Sequence, residues 1–222
     1  MAETKVSATL KYGRLLNDTF FSTYIILFGY TAITLIEALR TPLTSARHIM
    51  NIETAVSMVA GIVYGTFLDK INKNELKLDE VMPVRYMDWM VTTPLILLAI
   101  VLFYRSGSER LPYECFTIIA VLNWLMLGAG YLGERGMIPF HVGLGLGFLF
   151  FILMLAFMFT VVIPNGTPIA VFTIFAVIWT CYGIAYTFEE EEKNISYNIL
   201  DVVSKALFGV VLWLYYGKVL AF

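Results

Sequence analysis

Lys205 stands deep inside a long apolar stretch, ILDVVSKALFGVVLWLYYGKVL, with Asp201 four residues before it. A charge at mid-membrane is expensive unless it is partnered, so an ionisable group there marks a functional site. Residues i and i+4 share one face of a helix, which places this carboxylate beside the ammonium. A second apolar stretch, VRYMDWMVTTPLILLAIVLFY, carries Asp88, with Arg85 one turn earlier and Thr92 one turn later. Two carboxylates, a lysine and an arginine in apolar surroundings form an ion cluster that can hold or pass on a charge. The plainer alternative is a lysine snorkelling to the membrane surface. Lys205 lies about ten residues into its segment with some 17 more following, too deep for that.

The elements that carry these residues follow from composition. The chain has 222 residues, 59% of them hydrophobic and only 14% charged, whereas a soluble domain is roughly 45–50% apolar. A net charge of −2 gives nucleic acid no electrostatic footing. A bilayer takes about 20 residues per helix, and apolar runs recur at about 18–39, 47–68, 84–104, 112–132, 137–162, 168–188 and 195–220. Polar punctuators such as DKINKNELKLDE, GERGMIP and FEEEEKN separate them and leave no room for a soluble domain. The expectation is an all-α membrane protein, a single seven-transmembrane-helix bundle over residues 1–222, multi-pass in a cell or host-cell membrane. Cys115 and Cys181 read as packing residues rather than a disulfide. The first 17 residues are largely polar, so no cleavable signal peptide is expected.

Orientation follows from the charge of short loops. With the N-terminus outside and the C-terminus inside, the inner segments hold Arg40, Arg47, Arg105, Arg110 and Lys218 against Glu109, Glu37 and Glu114. The outer side then holds the mixed stretch from Asp69 to Glu80 and the acidic run Glu189 to Glu192. Lys5, Lys11 and Arg14 oppose this mildly.

RYMDWMVTTPL on the third predicted helix and LDVVSK on the seventh together resemble the microbial (type 1) rhodopsins, light-driven retinal-binding proteins. The resemblance extends from about residue 18 to residue 220. It implies that Lys205 binds all-trans-retinal as a protonated Schiff base, a buried cation that needs counter-charge. Asp88 and Asp201 match the family's counterion pair, and Arg85 its outer gating and release arginine. On the third helix Tyr86, Trp89, Thr92, Thr93 and Ile96 match retinal neighbours. On the fourth, LNWLMLGAGYLG offers Met126 and Gly130 for the ring end. On the sixth, WTCYGIAY supplies the aromatic walls Trp179, Tyr182 and Tyr186. Gly183 departs from the proline common there, and Tyr186 from a frequent tryptophan. Ser204, next to the lysine, is expected to tune colour.

In this family chloride pumps lack the carboxylate at the Asp88 position, and sodium pumps carry asparagine there. Asp88 with Thr92 resembles the proton-transfer arrangement, which implies a light-driven outward proton pump with Asp88 as proton acceptor. Where that pattern has an inner donor carboxylate, eleven residues after Asp88, this chain has Ala99. Glu53, in HIMNIETAVSMVAGIVYG, is the candidate proton donor. It lies about 9 Å in from Arg47 at roughly 1.5 Å per residue, a depth similar to that of Ala99. Burial penalises a charged carboxylate, so Glu53 is expected to hold its proton at rest; a structural acid or an oligomer contact is the alternative. A helix-two glutamate in a short chain is similar to the rhodopsins of giant algal viruses.

Rival readings are a light-gated cation channel, given Glu53 and the missing helix-three donor, and a photosensor acting through a partner. The sequence stops soon after Lys218, so a transducer domain is not expected. An enzyme is not expected either, because the sequence offers no nucleophile–base pair, metal-ligand set or nucleotide loop. His48 and His141 are isolated, Asn123 reads as structural, and Glu189 to Glu192 read as a solvated acidic loop. The partners expected are the lipid bilayer and protons, with a homo-oligomer, trimer or pentamer, implied by the family.

Overall fold

Backbone groups removed from water must satisfy one another, and within a single apolar segment only a helix does this. The computed structural model describes residues 13–105, 113–163, 166 and 169–216. Its elements are α1 Arg14–Arg40, α2 Thr44–Asn72, α3 Leu78–Tyr104, α4 Tyr113–Glu134, α5 Phe140–Phe157 and α6 Ala170–Ala185. Helix α5 runs on as a π-helical turn, Met158–Val162. The last rod joins α7 Glu190–Asp201, a π-helical segment Val202–Leu207 and α8 Phe208–Tyr216. Among the described residues these make seven rods, the all-α bundle expected. Six are long and apolar enough to cross a membrane, and Ala170–Ala185 is a shorter apolar helix. Lys5, Lys11, Glu109, Arg110 and Lys218, which entered the orientation argument, lie outside the described residues, as do positions 112, 168 and 217–220 of the expected spans.

Helices α1, α2, α3 and α7 begin earlier than the apolar runs suggested, α3 and α7 by the most. Helix α3 starts at Leu78 with Asp79 and Glu80 in its first turn, and α7 at Glu190 with Glu191 and Glu192 beside it. Negative side chains offset the exposed N–H groups of a helix start. The acidic run after Glu189 is therefore the first turn of a helix rather than a loop, although Glu190 and Glu192 remain exposed. Helix α4 ends where Gly136 takes φ +66°, a conformation that costs glycine little. The Met137 N–H then reaches the Leu132 carbonyl and the Gly136 N–H the Gly133 carbonyl, closing the helix end.

Packing brings α1 against α2, α2 against α3, and α4 against α5, while the last rod touches α1, α2 and α6. Helices α4 and α5 meet backbone to backbone: a methyl on Gly143 would lie 2.8 Å from Gly133 Cα and 2.9 Å from the Ala129 carbonyl oxygen. Small residues permit such approach between membrane helices. Pro94, inside α3, has no N–H to give the Met90 carbonyl. The indole of Trp124 on α4 donates to that carbonyl at 3.0 Å. Large side chains such as Phe21, Ile33, Leu153 and Val177 are exposed around the outside, as an apolar solvent allows.

Candidate functional site

Asn194, Asn198, Asp201 and Lys205 recur at spacings of four, three and four residues and line the inner face of the last rod. All four are buried. Lys205 lies within the π-helical segment, where the Phe208 N–H reaches back five residues to the Val203 carbonyl. Such turns often accompany functional sites because they re-aim side chains. The Lys205 amine donates to Asp201 Oδ1 at 2.7 Å and to Asp88 Oδ2 at 3.0 Å. One carboxylate thus comes from the lysine's own rod and the other from α3.

The two carboxylates differ in their company. Asp201 Oδ1 also accepts from Tyr182 at 2.6 Å and the Trp89 indole at 3.3 Å. Its Oδ2 accepts from the Tyr64 hydroxyl at 2.8 Å and from Arg85 at 3.4 Å. Among the described residues Asp88 has only the lysine on Oδ2, and its Oδ1 has no hydrogen-bond partner. Arg85 attaches to the Asp201 side, donating to Tyr64 at 2.7 Å, to Asn194 at 3.2 Å and, through a short contact, to Asn198. Phe20, Tyr64, Phe67 and Tyr197 turn their rings toward its guanidinium. Two buried cations thus face two buried anions, so the cluster is neutral overall and each charge has a partner, as burial demands.

A cavity opens from Lys205 between α3, α4, α5 and α6. Of the residues singled out in sequence, Tyr86, Trp89, Thr93, Ile96, Met126 and Gly130 line it. So do Trp179, Tyr182, Tyr186 and Ser204. Thr92 is not in the lining; it is fully buried and its hydroxyl donates to the Asp88 carbonyl at 2.9 Å. Thr93 receives a bond from Asn123 at 2.7 Å, which ties α4 to α3 at the cavity wall. A methyl on Gly130 would lie 2.8 Å from the Tyr86 hydroxyl, and one on Gly183 would lie 2.5 Å from Phe148. Gly183 therefore leaves room that the Phe148 ring fills.

Glu53 is fully buried, and among the described residues neither of its carboxyl oxygens has a hydrogen-bond partner. It faces the last rod at Gly209, where an added methyl would strike its Oε2. Gly209 is four residues past Lys205, so Glu53 approaches from the side opposite to Arg85 and Asn194. At the Arg85 end, Lys193 and Glu134 form a second buried pair at 2.9 Å. The Lys193 amine also lies 5.7 Å from the centre of the Tyr186 ring.

Several partners escaped the sequence reading. Tyr64, Asn194 and Asn198 carry the arginine network, and the helical spacing of the two asparagines before Asp201 was the available signal. Tyr197 and the α5 lining residues Gly143, Leu144, Gly147, Phe148 and Phe151 gave none, because apolar cavity walls read like ordinary core.

The whole pattern has relatives. A family model described as bacteriorhodopsin-like protein matches residues 16–219. The crystal structure of viral rhodopsin OLPVRII is 38% identical, with a TM-score of 0.87, covering 93% of this chain and 100% of that one. The rhodopsin of Exiguobacterium sibiricum shares the fold, with a TM-score of 0.77 at 22% identity over 91% of this chain and 97% of its own. A blue-light absorbing proteorhodopsin from Gamma-proteobacterium Hot 75m4 is 29% identical over 151 residues, 58% of this chain. The match spans 59% of that relative's length.

Proposed function

Because the chain belongs to the bacteriorhodopsin-like family, whose members bind retinal as chromophore, we propose that it is a light-driven outward proton pump. The residues present fit that chromophore: a buried primary amine opens on a cavity walled by aromatic rings, with Gly130 and Gly183 in its lining. Bound through the Lys205 nitrogen, retinal supplies absorption of visible light and a change of shape that redirects that nitrogen and its proton.

The observation that carries the reading is the position of Lys205 between two unlike carboxyl groups. On one side Asp88 Oδ2 is 3.0 Å away, and its Oδ1 is free of donors and open to a proton. Asp201 is occupied by donors on both oxygens, whereas Asp88 has an oxygen open to a proton, which makes Asp88 the acceptor. On the other side, at Gly209 one turn along the last rod, Glu53 has no hydrogen-bond partner among the described residues, and in this reading it returns a proton to the Lys205 nitrogen. With acceptor and donor on opposite sides, a proton that leaves toward Asp88 is replaced from Glu53, and transport has a direction. Arg85, bonded to Asp201, Tyr64 and both asparagines, passes the change of charge at Asp88 onward to the Asn194 end. With the N-terminus outside that end is external, and transfer runs outward. The protein works in a lipid bilayer, and the trimer or pentamer implied by the family belongs to the same reading.

Illumination of intact cells holding the retinal-loaded protein tests this. The medium is expected to acidify, a protonophore to abolish the change, and Asp88→Asn to remove it while colour persists. Acidification that survives Asp88→Asn would count against the assignment of the acceptor.

A further inference from the structure

Glu53 does not sit alone. Tyr30 of α1 is buried, and its hydroxyl, like both Glu53 oxygens, has no hydrogen-bond partner among the described residues. The hydroxyls one turn further along each helix are committed elsewhere: Thr34 bonds the Tyr30 carbonyl at 3.1 Å, and Ser57 bonds the Glu53 carbonyl at 2.8 Å. Buried polar atoms without partners are rare, so three of them on two neighbouring side chains point to a function rather than to packing. Both meet at a single place. A methyl added to Gly209 would collide with the Tyr30 hydroxyl and with Glu53 Oε2, so the two groups face each other across the space that this glycine leaves.

We propose that Tyr30 and Gly209 are positioning residues for proton return, the Tyr30 hydroxyl orienting the Glu53 carboxyl and Gly209 keeping open the gap through which it serves Lys205. The proposal rests on Glu53 as proton donor. The two groups are adjacent but not hydrogen-bonded in this structure; a tyrosine hydroxyl both donates and accepts, so a small side-chain rotation lets it bond the carboxyl whether or not that group holds its proton. It therefore steadies Glu53 before and after transfer without itself ending up charged. Gly209 acts by what it lacks. A side chain there pushes either the phenol or the carboxyl away from the last rod, one turn from the lysine.

The test uses the full-length, retinal-loaded protein with Tyr30→Phe, Gly209→Ala, Glu53→Gln and the Tyr30→Phe/Glu53→Gln pair. Infrared spectra in the dark identify the Glu53 carboxyl stretch as the band lost in Glu53→Gln, and flash photolysis times the return of the proton to Lys205. Tyr30→Phe is expected to move that band and to slow proton return about fivefold, the order expected from one lost hydrogen bond. It should add nothing in the Glu53→Gln background. Gly209→Ala is expected to slow return at least as much; should it form no pigment, Tyr30→Phe, which removes one oxygen atom, decides. If Glu53→Gln slows return while Tyr30→Phe leaves band and rate unchanged, the positioning role is overturned and Glu53 keeps its own. If Glu53→Gln changes nothing, the donor role and this inference fall together.

Discussion

Asp88 and Asp201 present the same functional group to the same amine, and what surrounds each decides its work. Asp201 balances Arg85 and Lys205 at once, with Tyr182, Trp89 and Tyr64 also donating to it. Its replacement by asparagine strands buried positive charge, at a cost of about 3–5 kcal/mol. Thermal unfolding followed through pigment colour should therefore show a much larger loss for Asp201→Asn than for Asp88→Asn; equal losses would contradict the division of labour. Glu53→Gln, which keeps shape and removes the acid, is expected to slow return of the proton to Lys205 by about tenfold or more. Unchanged return in a flash experiment would take the donor role from Glu53. The ionisable members of the site were legible in sequence because charge in an apolar segment is anomalous. Tyr64 and Tyr197 were not, because a tyrosine is as much at home in a core as in a hydrogen-bond network, and only the fold brings Tyr64 to Asp201.

Element boundaries obeyed a different rule. Hydropathy located the seven segments, since roughly 20 apolar residues in a row have few other fates. It could not place their ends, because the acidic residues that look like loop are the ones that suit a helix start, as at Glu190 and Asp79. Nor does sequence periodicity reveal the π-helical segment that carries Lys205, which is a choice of register within an otherwise helical stretch. The kink-prone part of α3 is repaired from outside. Trp124→Phe is expected to destabilise the bundle by about 1 kcal/mol through the lost bond to the Met90 carbonyl. In a Pro94→Ala background the helix supplies its own N–H, so the same change should cost almost nothing; a full cost in both backgrounds would refute the repair.

At the scale of the molecule, the bundle matters because it puts unlike groups on opposite sides of one nitrogen. The Arg85, Asn194 and Asn198 network lies between Lys205 and the end where α7 begins, and Glu53 lies toward the end that carries Arg40, Arg47 and Arg105. On the proposed function that asymmetry is what a pump needs and a pore does not, provided that no continuous path joins the two ends during the cycle. A membrane clamped over a range of voltages under light, with unequal proton and cation concentrations across it, tests this most directly. The account predicts outward current that persists against the proton gradient and fails to reverse where the cation gradient would dictate. A current whose reversal potential follows the cation gradient would contradict it and make the protein a light-gated channel.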